Sequence, residues 1–497
     1  MQFEFFDKNL DQISTDASVI FAFQTEKSAQ LLLGFKNLSK NLQKNIIKAV
    51  ETANFTGKRG ETLNFYLEET SLVKQIIILG LGKRKEFISN DLRRALGTLS
   101  KKLKGKVSSI ALEIPTEDEL TISKEIAANA IAEGLILGNY EFAKYKSDKK
   151  DNKKLSVVII SQKASVEVKR GIERAKIYCD ATILARDLVN EQSAIATPAH
   201  LANLALEIAK KDPKHISCKI LNRSQAEKLG MEAFLGIARA SEKVEPKFIH
   251  LEYTPDKNSK KKLAVVGKGI TFDSGGINVK TGDGMVDMKM DMSGAAIVLA
   301  IFSVISEIKP EFSVMGLIAA TPNLISGTSV VPGDVVKALN GKTIEILNTD
   351  AEGRVTMADS LSYAVKNKAT EVIDFATLTG ACMVALGTDI AGLFSNNEDL
   401  SKKIKTAAFE AGEKVWELPL EKDYQELNKS DVADVANIAS SRYGGTITAA
   451  LFLQEFVGNL PWAHLDIAGP AFLSKPSDIS GKGGTGHGVR TVLNLLI

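Results

Sequence analysis

Residues 263–294 read LAVVGKGITFDSGGINVKTGDGMVDMKMDMSG, and the opening of this stretch decides the fold. The apolar run from Leu263 to Val266 has no polar alternation, which is the pattern of a strand covered on both faces, as in a parallel sheet. It ends in glycine and then delivers Lys268, Asp273, Lys280 and Asp291 within 24 positions, interleaved with glycine and methionine. In open α/β sheets ligands bind beyond the carboxyl ends of the strands, so charged residues placed there are candidates for a site. Surface charges on a solvated turn would give the same composition, and this stretch alone does not choose between the two. The GAAIVLAIFSVI that follows, residues 294–305, is about half of what a bilayer span needs and reads as a buried helix.

The alternation spreads in both directions. Downstream, strand patterns recur at FSVMGLIAA from Phe312, KTIEILNTD from Lys342, EVIDFATLT from Glu371 and WAHLDIAG from Trp462, with helical stretches between them. Upstream, residues 166–190 are helical and free of proline, and Thr197-Pro198 is a helix start with Thr as N-cap and Pro in the first turn. Earlier still, SVIFAF near Val19, KQIIILGLG near Ile76, SSIALEIP near Ile110 and LSVVIIS near Val157 alternate with helical runs. The expected fold class is α/β: a smaller N-terminal α/β domain in residues 1–165, a linker helix at 166–192, and a larger C-terminal domain at 193–497 whose mixed central sheet is flanked by helices.

Composition bounds the function. A chain of 497 residues at about 150 per domain holds two or three folded units. Hydrophobic residues at 44% and charged residues at 25% exclude a disordered or collagen-like chain. Sixty-three basic against 60 acidic residues leave a net charge of +3, so no global field recruits nucleic acid or an anionic membrane. The N-terminus is acidic where a secretory signal is basic, which predicts a cytoplasmic protein. The separated cysteines Cys179, Cys218 and Cys382 read as reduced thiols. Five histidines and three cysteines are too few for the usual transition-metal clusters, so a metal here would need carboxylates.

Residues 348–354, NTDAEGR, supply them. If the backbone stays extended after KTIEIL, Asp350, Glu352 and Arg354 point to one side. Two carboxylates pushed together need a cation between them, because like charges otherwise raise one pKa. A simple Arg354 to Glu352 pair on a polar sheet face would also satisfy the pattern. Taken with the first stretch, Asp273, Asp291, Asp350 and Glu352 make four hard oxygen donors, suited to Mg²⁺ or Mn²⁺ and acceptable to Zn²⁺. Two such ions ~3.5 to 4 Å apart can share a carboxylate and activate a water for hydrolysis. Lys280 and Arg354 are the cations at hand for stabilising developing negative charge.

At these residues the sequence resembles the leucyl aminopeptidase, or cytosol aminopeptidase, family. NTDAEGR matches the family signature, and VGKGITFDSGG followed by MKMDMSGAA matches its other metal-binding stretch in order and spacing. The likeness continues through ARDLVNE, TPAHLA, DFATLTGA, ADVANIA, GGTITAALFLQEFV and WAHLDIAGPA. Near the C-terminus the chain has GTGHGVR, with His487 where the family usually carries an aromatic.

The resemblance implies a two-metal aminopeptidase that removes the N-terminal residue, Leu preferred, from peptides with a free N-terminus. Asp273 and Glu352 would bridge the two divalent ions (Mn²⁺ or Zn²⁺, with Mg²⁺ an alternative). Asp350 would complete one ion, and Lys268 and Asp291 the other. Lys280 would polarise the scissile carbonyl. Arg354 would hold a bicarbonate ion acting as general base for the water that bridges the metals, with main-chain amides of Ala351, Gly353 and Leu378 completing that cradle. Met288, Thr377 and Ala449 fall in stretches resembling the pocket for the first side chain. A homohexamer is implied in the same way, with no membrane or nucleic-acid partner. Two other readings come from the residues: a phosphate-binding enzyme using GLGKRKE at Gly80 or GKG at Gly267, neither of which matches a phosphate-loop pattern, and nucleic-acid binding through Lys149, Lys150, Lys153 and Lys154.

Overall fold

The computed structural model describes residues 1–26, 28–147, 154–241, 243–257 and 259–497. It divides into two compact units, one of Met1–Asp180 with Lys475–Gly481 and one of Ala181–Ser474 with Lys482–Ile497. The division falls inside a single 25-residue helix, Val166–Asn190. Lys149, Lys150 and Lys153 lie outside the described residues. Their neighbour Lys146 is paired with Glu141 at 3.2 Å, an ordinary solvated contact.

In the first unit a seven-stranded sheet is built from β1 (Gln2–Phe5), β2 (Ala17–Gln24), β3 (Ala29–Leu31), β4 (Thr62–Tyr66), β5 (Gln75–Lys83), β6 (Ser109–Leu112) and β7 (Val157–Ile160). Its order is β1-β7-β6-β2-β5-β4, parallel except at β4, with β3 added antiparallel to β2. The glycines of GLGKRKE belong to this packing. A Cβ on Gly80 would stand 2.1 Å from the Lys58 carbonyl, so the residue is needed for a close backbone approach. That accounts for the glycine without a phosphate.

The second unit carries an eight-stranded mixed sheet of β8 (Ile216–Leu221), β9 (Lys247–Tyr253), β10 (Lys262–Asp273), β11 (Ser313–Asn323), β14 (Glu371–Ala376), β15 (Ile390–Ser395), β16 (Lys414–Glu417) and β18 (Trp462–Asp466). The order is β16-β15-β18-β14-β10-β11-β9-β8. β11, β10, β14 and β18 form the parallel centre, and antiparallel pairings at β9 and β15 make the sheet mixed. β12 (Val335–Lys337), β13 (Thr343–Glu345) and β17 (Val435–Ala436) form a separate small sheet. KTIEIL is therefore a three-residue strand outside the main sheet.

Burial follows the sequence reading. β10 is buried along nearly its whole length, as its unbroken apolar start requires. The helix Ser293–Ile308 packs on β10 and β11 with almost every side chain covered. Gly316 in β11 makes room for it: a Cβ there would lie 2.5 Å from the Phe302 ring and 2.7 Å from Val298. Among the described residues the one run long and apolar enough to cross a bilayer, Gly282–Ile308, contains this helix, and its apolar 18-residue window is 78% buried. Thr197 caps the helix Pro198–Lys211 through its hydroxyl, 3.3 Å from the His200 amide, with Pro198 in the first turn. None of Cys179, Cys218 and Cys382 is in a disulfide.

Candidate active site

Two parallel neighbours, β10 and β11, end together, and β14 ends on the other side of β10. Lys268 lies within β10 and Asp273 is its last residue. Asp291 comes from a 3-10 turn, Met288–Met292, that leads into the helix Ser293–Ile308. Glycine permits this convergence. A Cβ on Gly267 would meet the Gly294 carbonyl at 2.2 Å, so strand and helix start touch backbone to backbone.

The NTDAEGR stretch is not extended. Thr349–Ala351 form a 3-10 turn and Glu352 opens the helix Glu352–Lys366, which corrects the expectation that Asp350, Glu352 and Arg354 share one face of a strand. The cause is local capping. The Asn348 side chain accepts from the Asp350 amide at 2.8 Å, and Asn437 accepts from the Leu347 and Asn348 amides at 2.8 and 3.2 Å, which bends the chain out of the strand. The carboxylates meet by tertiary folding instead. Ligand atoms of Asp273, Asp350 and Glu352 all lie within 4.8 Å of one another. Like charges this close repel by about 3–4 kcal/mol per pair at an effective dielectric near ~20, so cations must stand among them.

Two lysines do so. Lys268, 4% exposed, places its ammonium 2.8 Å from Asp291 Oδ2, 2.9 Å from Glu352 Oε1 and 3.2 Å from the Thr377 carbonyl. Lys280 reaches Asp273 Oδ2 at 2.8 Å and Asp350 Oδ1 at 2.5 Å from a more open position. The alternative pairing of Arg354 with Glu352 is absent among the described residues, because Glu352 is taken by Lys268.

Protonation follows from these neighbours. Burial works against the charge of Lys268, but Asp291, Glu352 and Asp273 hold it above the ordinary lysine range. Lys280 is raised in the same way, against burial, by Asp273 and Asp350. Burial and the Glu352 charge push Asp273 up to about 6, and burial takes Asp291 well above the usual carboxylate range. Burial also opposes the charge of Glu352, yet Lys268 keeps its carboxyl below the usual range.

Arg354 is buried in the first turn of the helix. Its Nη1 donates to the Asn437 carbonyl at 3.0 Å, its Nε has no hydrogen-bond partner, and burial draws it down to about 10. Of the three main-chain amides singled out beside it, that of Ala351 donates to the Asn348 carbonyl at 3.2 Å and that of Leu378 to Asp466 Oδ1 at 3.2 Å. Gly353 must lack a side chain for a steric reason: a Cβ would stand 2.4 Å from Lys268 Cε. Thr377 donates to Asp291 at 2.7 Å, Met288 is half-buried, and Ala449 is buried in the helix Gly445–Gln454. None of the five histidines joins the cluster. His464, for one, is buried against Asp374 at 2.5 Å.

Sequence reasoning missed two residues here. Asn323, the last residue of β11, donates to Asp273 Oδ1 at 2.8 Å and the Thr349 carbonyl at 3.0 Å, and faces Glu352 Oε2 at 3.5 Å. Asp466, the last of β18, accepts from the Thr379 hydroxyl at 2.6 Å as well as the Leu378 amide. Both are polar residues ending an apolar strand run, the signal that singled out Asp273.

The donor set fits divalent metal ions. The buried oxygens Asp291 Oδ2 and Asp350 Oδ1 each face a lysine ammonium, at 2.8 and 2.5 Å, which occupies one lone pair of each and leaves the other spare. Spare lone pairs on clustered carboxylates at the carboxyl ends of parallel strands are hard-cation ligands in waiting. Fold and site together define a metal-dependent hydrolase of α/β architecture.

Known proteins give the particular kind. The family model described as cytosol aminopeptidase family, catalytic domain, matches residues 183–493, and that of the same family's N-terminal domain matches residues 19–149. A probable cytosol aminopeptidase of Aquifex aeolicus (strain VF5) is 46% identical over 93% of this chain and 92% of its own. A mutant of tomato leucine aminopeptidase superposes with a TM-score of 0.88 at 37% identity, covering all of this chain and 96% of that one. The bottromycin maturation enzyme BotP, in a complex with Mn, gives 0.85 at 31% identity over 97% and 99% of the two chains. The chain belongs to the cytosol aminopeptidase family, and it is a metallo-aminopeptidase.

Proposed function

We propose that the protein removes Leu-like N-terminal residues from peptides using two divalent ions, Mn²⁺ or Zn²⁺ with Mg²⁺ an alternative, held by Asp273, Glu352, Asp350, Asp291 and Lys268. The observation that carries this reading is the convergence of Asp273, Asp350 and Glu352 to within 4.8 Å, with a lysine on either side. When bound, the ions supply a Lewis acid and an activated water. Asp273 and Glu352 stand between the two lysines and are placed to serve both ions. Lys268, to act as a ligand through its amine, gives up its proton. Lys280, at the open edge, is assigned to the scissile carbonyl, where its positive charge stabilises the oxyanion as it develops.

Arg354 is assigned to holding an anion, bicarbonate, which when bound would supply a general base. Its support is the unpartnered Nε of a buried guanidinium. With the Ala351 and Leu378 amides engaged, Gly353 in the first helical turn is the main-chain donor best placed to share it. Met288, Thr377 and Ala449 are assigned to the pocket for the first side chain. We assign a cytoplasmic location, the relatives being named cytosol aminopeptidases, and, from the family resemblance alone, a homohexamer.

Purified protein supplied with Mn²⁺ or Zn²⁺ is expected to release leucine from a leucyl anilide, and a chelator to abolish this reversibly. Turnover that survives complete metal removal would overturn the reading.

A further inference from the structure

We infer that Asn323 is a positioning residue for the two carboxylates assigned to both ions, an inference that rests on the two-ion reading above. The argument begins with which oxygen of each carboxylate faces what. Asp273 Oδ1 accepts from the Asn323 amide nitrogen at 2.8 Å and from the Gly275 amide at 2.9 Å, while Oδ2 faces Lys280. Glu352 Oε2 faces the same Asn323 nitrogen at 3.5 Å, while Oε1 faces Lys268. One neutral amide group thus touches one oxygen of each acid and leaves the other oxygen toward the cation side.

Asn323 is itself firmly set. It is 2% exposed at the end of β11, and its nitrogen also donates to the Thr349 carbonyl at 3.0 Å. Its own carbonyl accepts from the Ser274 amide at 3.0 Å and the Ser274 hydroxyl at 2.8 Å. On its far side Gly276, in the left-handed region at φ +65°, would bring a Cβ within 3.0 Å of Asn323 Oδ1. Asn323 therefore ties three segments together: the end of β10, the end of β11 and the turn before Glu352. An uncharged donor suits this place. It brings two like charges together without adding a third, and it keeps each carboxylate from rotating away when no ion is bound. Such supporting contacts to ligands typically carry 10–100-fold in metal affinity.

The test is a calorimetric titration of chelator-treated protein with Mn²⁺, with circular dichroism of the same samples, in the parent chain, Asn323→Ala and Asn323→Ser. Alanine removes the donor, and serine keeps a shorter donor able to reach one acid at most. Both variants are expected to weaken Mn²⁺ binding by about 10–100-fold while the parent takes up two ions. At saturating Mn²⁺, kcat should fall more than KM rises, which lost packing alone would not produce. Parent-like Mn²⁺ affinity in a folded variant overturns the inference. If Asn323→Ala does not fold, the serine variant decides by the same criterion. A parent chain that binds no Mn²⁺ overturns the two-ion reading itself, and the inference with it.

Discussion

Lys268 and Lys280 do the same electrostatic work in different settings. Lys268 rises from the middle of a buried strand, is walled by Gly353 and ends on Asp291, Glu352 and a carbonyl. Lys280 follows a turn shaped by Gly275 and Gly276, both at positive φ, and its side chain keeps 16% of its exposure. The inner end of the site is fixed by the sheet and tolerates no change of volume. The outer end is fixed by turn hydrogen bonds, chiefly the Thr349 hydroxyl to the Gly275 carbonyl at 2.7 Å and the Thr349 amide to Asn278 Oδ1 at 2.9 Å, and retains room to adjust. A group that must meet a variable substrate belongs at the second kind of place.

Breaking the inner end should have the largest effect. Glu352→Ala leaves Lys268 short of a buried partner and is expected to lower unfolding stability by about 3–5 kcal/mol, read from denaturant titration, together with loss of activity. Next comes Gly353→Ala, whose Cβ displaces Lys268. A fall of about 100-fold in kcat/KM on a leucyl anilide is expected, while parent-like turnover would show that Lys268 is freer than its surroundings indicate. At the outer end Lys280→Ala should keep its metal content and lose about 100–1,000-fold in kcat. A large KM effect with unchanged kcat would contradict that role. Asn278→Ala, which only loosens the turn, should cost about 1 kcal/mol of stability and leave kcat within a few-fold of the parent.

The helix Glu352–Lys366 offers a control for the electrostatics. Glu352 is held ionised by Lys268, whereas Asp359, two turns on, accepts from main-chain amides, those of Phe234 and Leu339 at 2.8 and 2.7 Å, and burial pushes it up to about 7. A carboxyl raised in the folded state contributes stability that is complete below its unfolded pKa, near ~4, and is lost as pH rises toward about 7. Asp359→Asn removes that titration but sets an NH₂ group against a backbone donor, so it is less stable than the parent. The deficit should be larger at pH 5 than at pH 7.5, as measured by urea unfolding at each pH. A constant deficit would place the Asp359 pKa near its unfolded value.

Much of this was legible in the sequence, unevenly. The apolar run at Leu263 announced a buried parallel strand, and Asp273 closes that strand as expected, whereas Lys268 lies inside it. NTDAEGR named carboxylates that the fold brings together with Asp273, but on another backbone: spacing suggested an extended strand, whereas Asn348 and Asn437 cap a turn, and a capping partner 89 positions away leaves no local trace. The edge strand β8 is exposed or half-buried between its ends and carries a lysine, and its neighbour β9 carries lysine, histidine and glutamate, so neither shows the apolar signature of β10. Asn323 was hidden for another reason. A single asparagine between proline and leucine reads as turn chemistry, and only the fold sets it against Asp273 and Glu352.

The central claim is that Glu352 and Asp273 hold two metal ions for peptide hydrolysis. It is tested most directly by Mn²⁺ content after dialysis, with leucyl anilide turnover, in the parent and in Glu352→Ala. The account predicts two ions and turnover in the parent, and fewer ions with no turnover in the variant. A Glu352→Ala protein that retains two ions and parent turnover would contradict it.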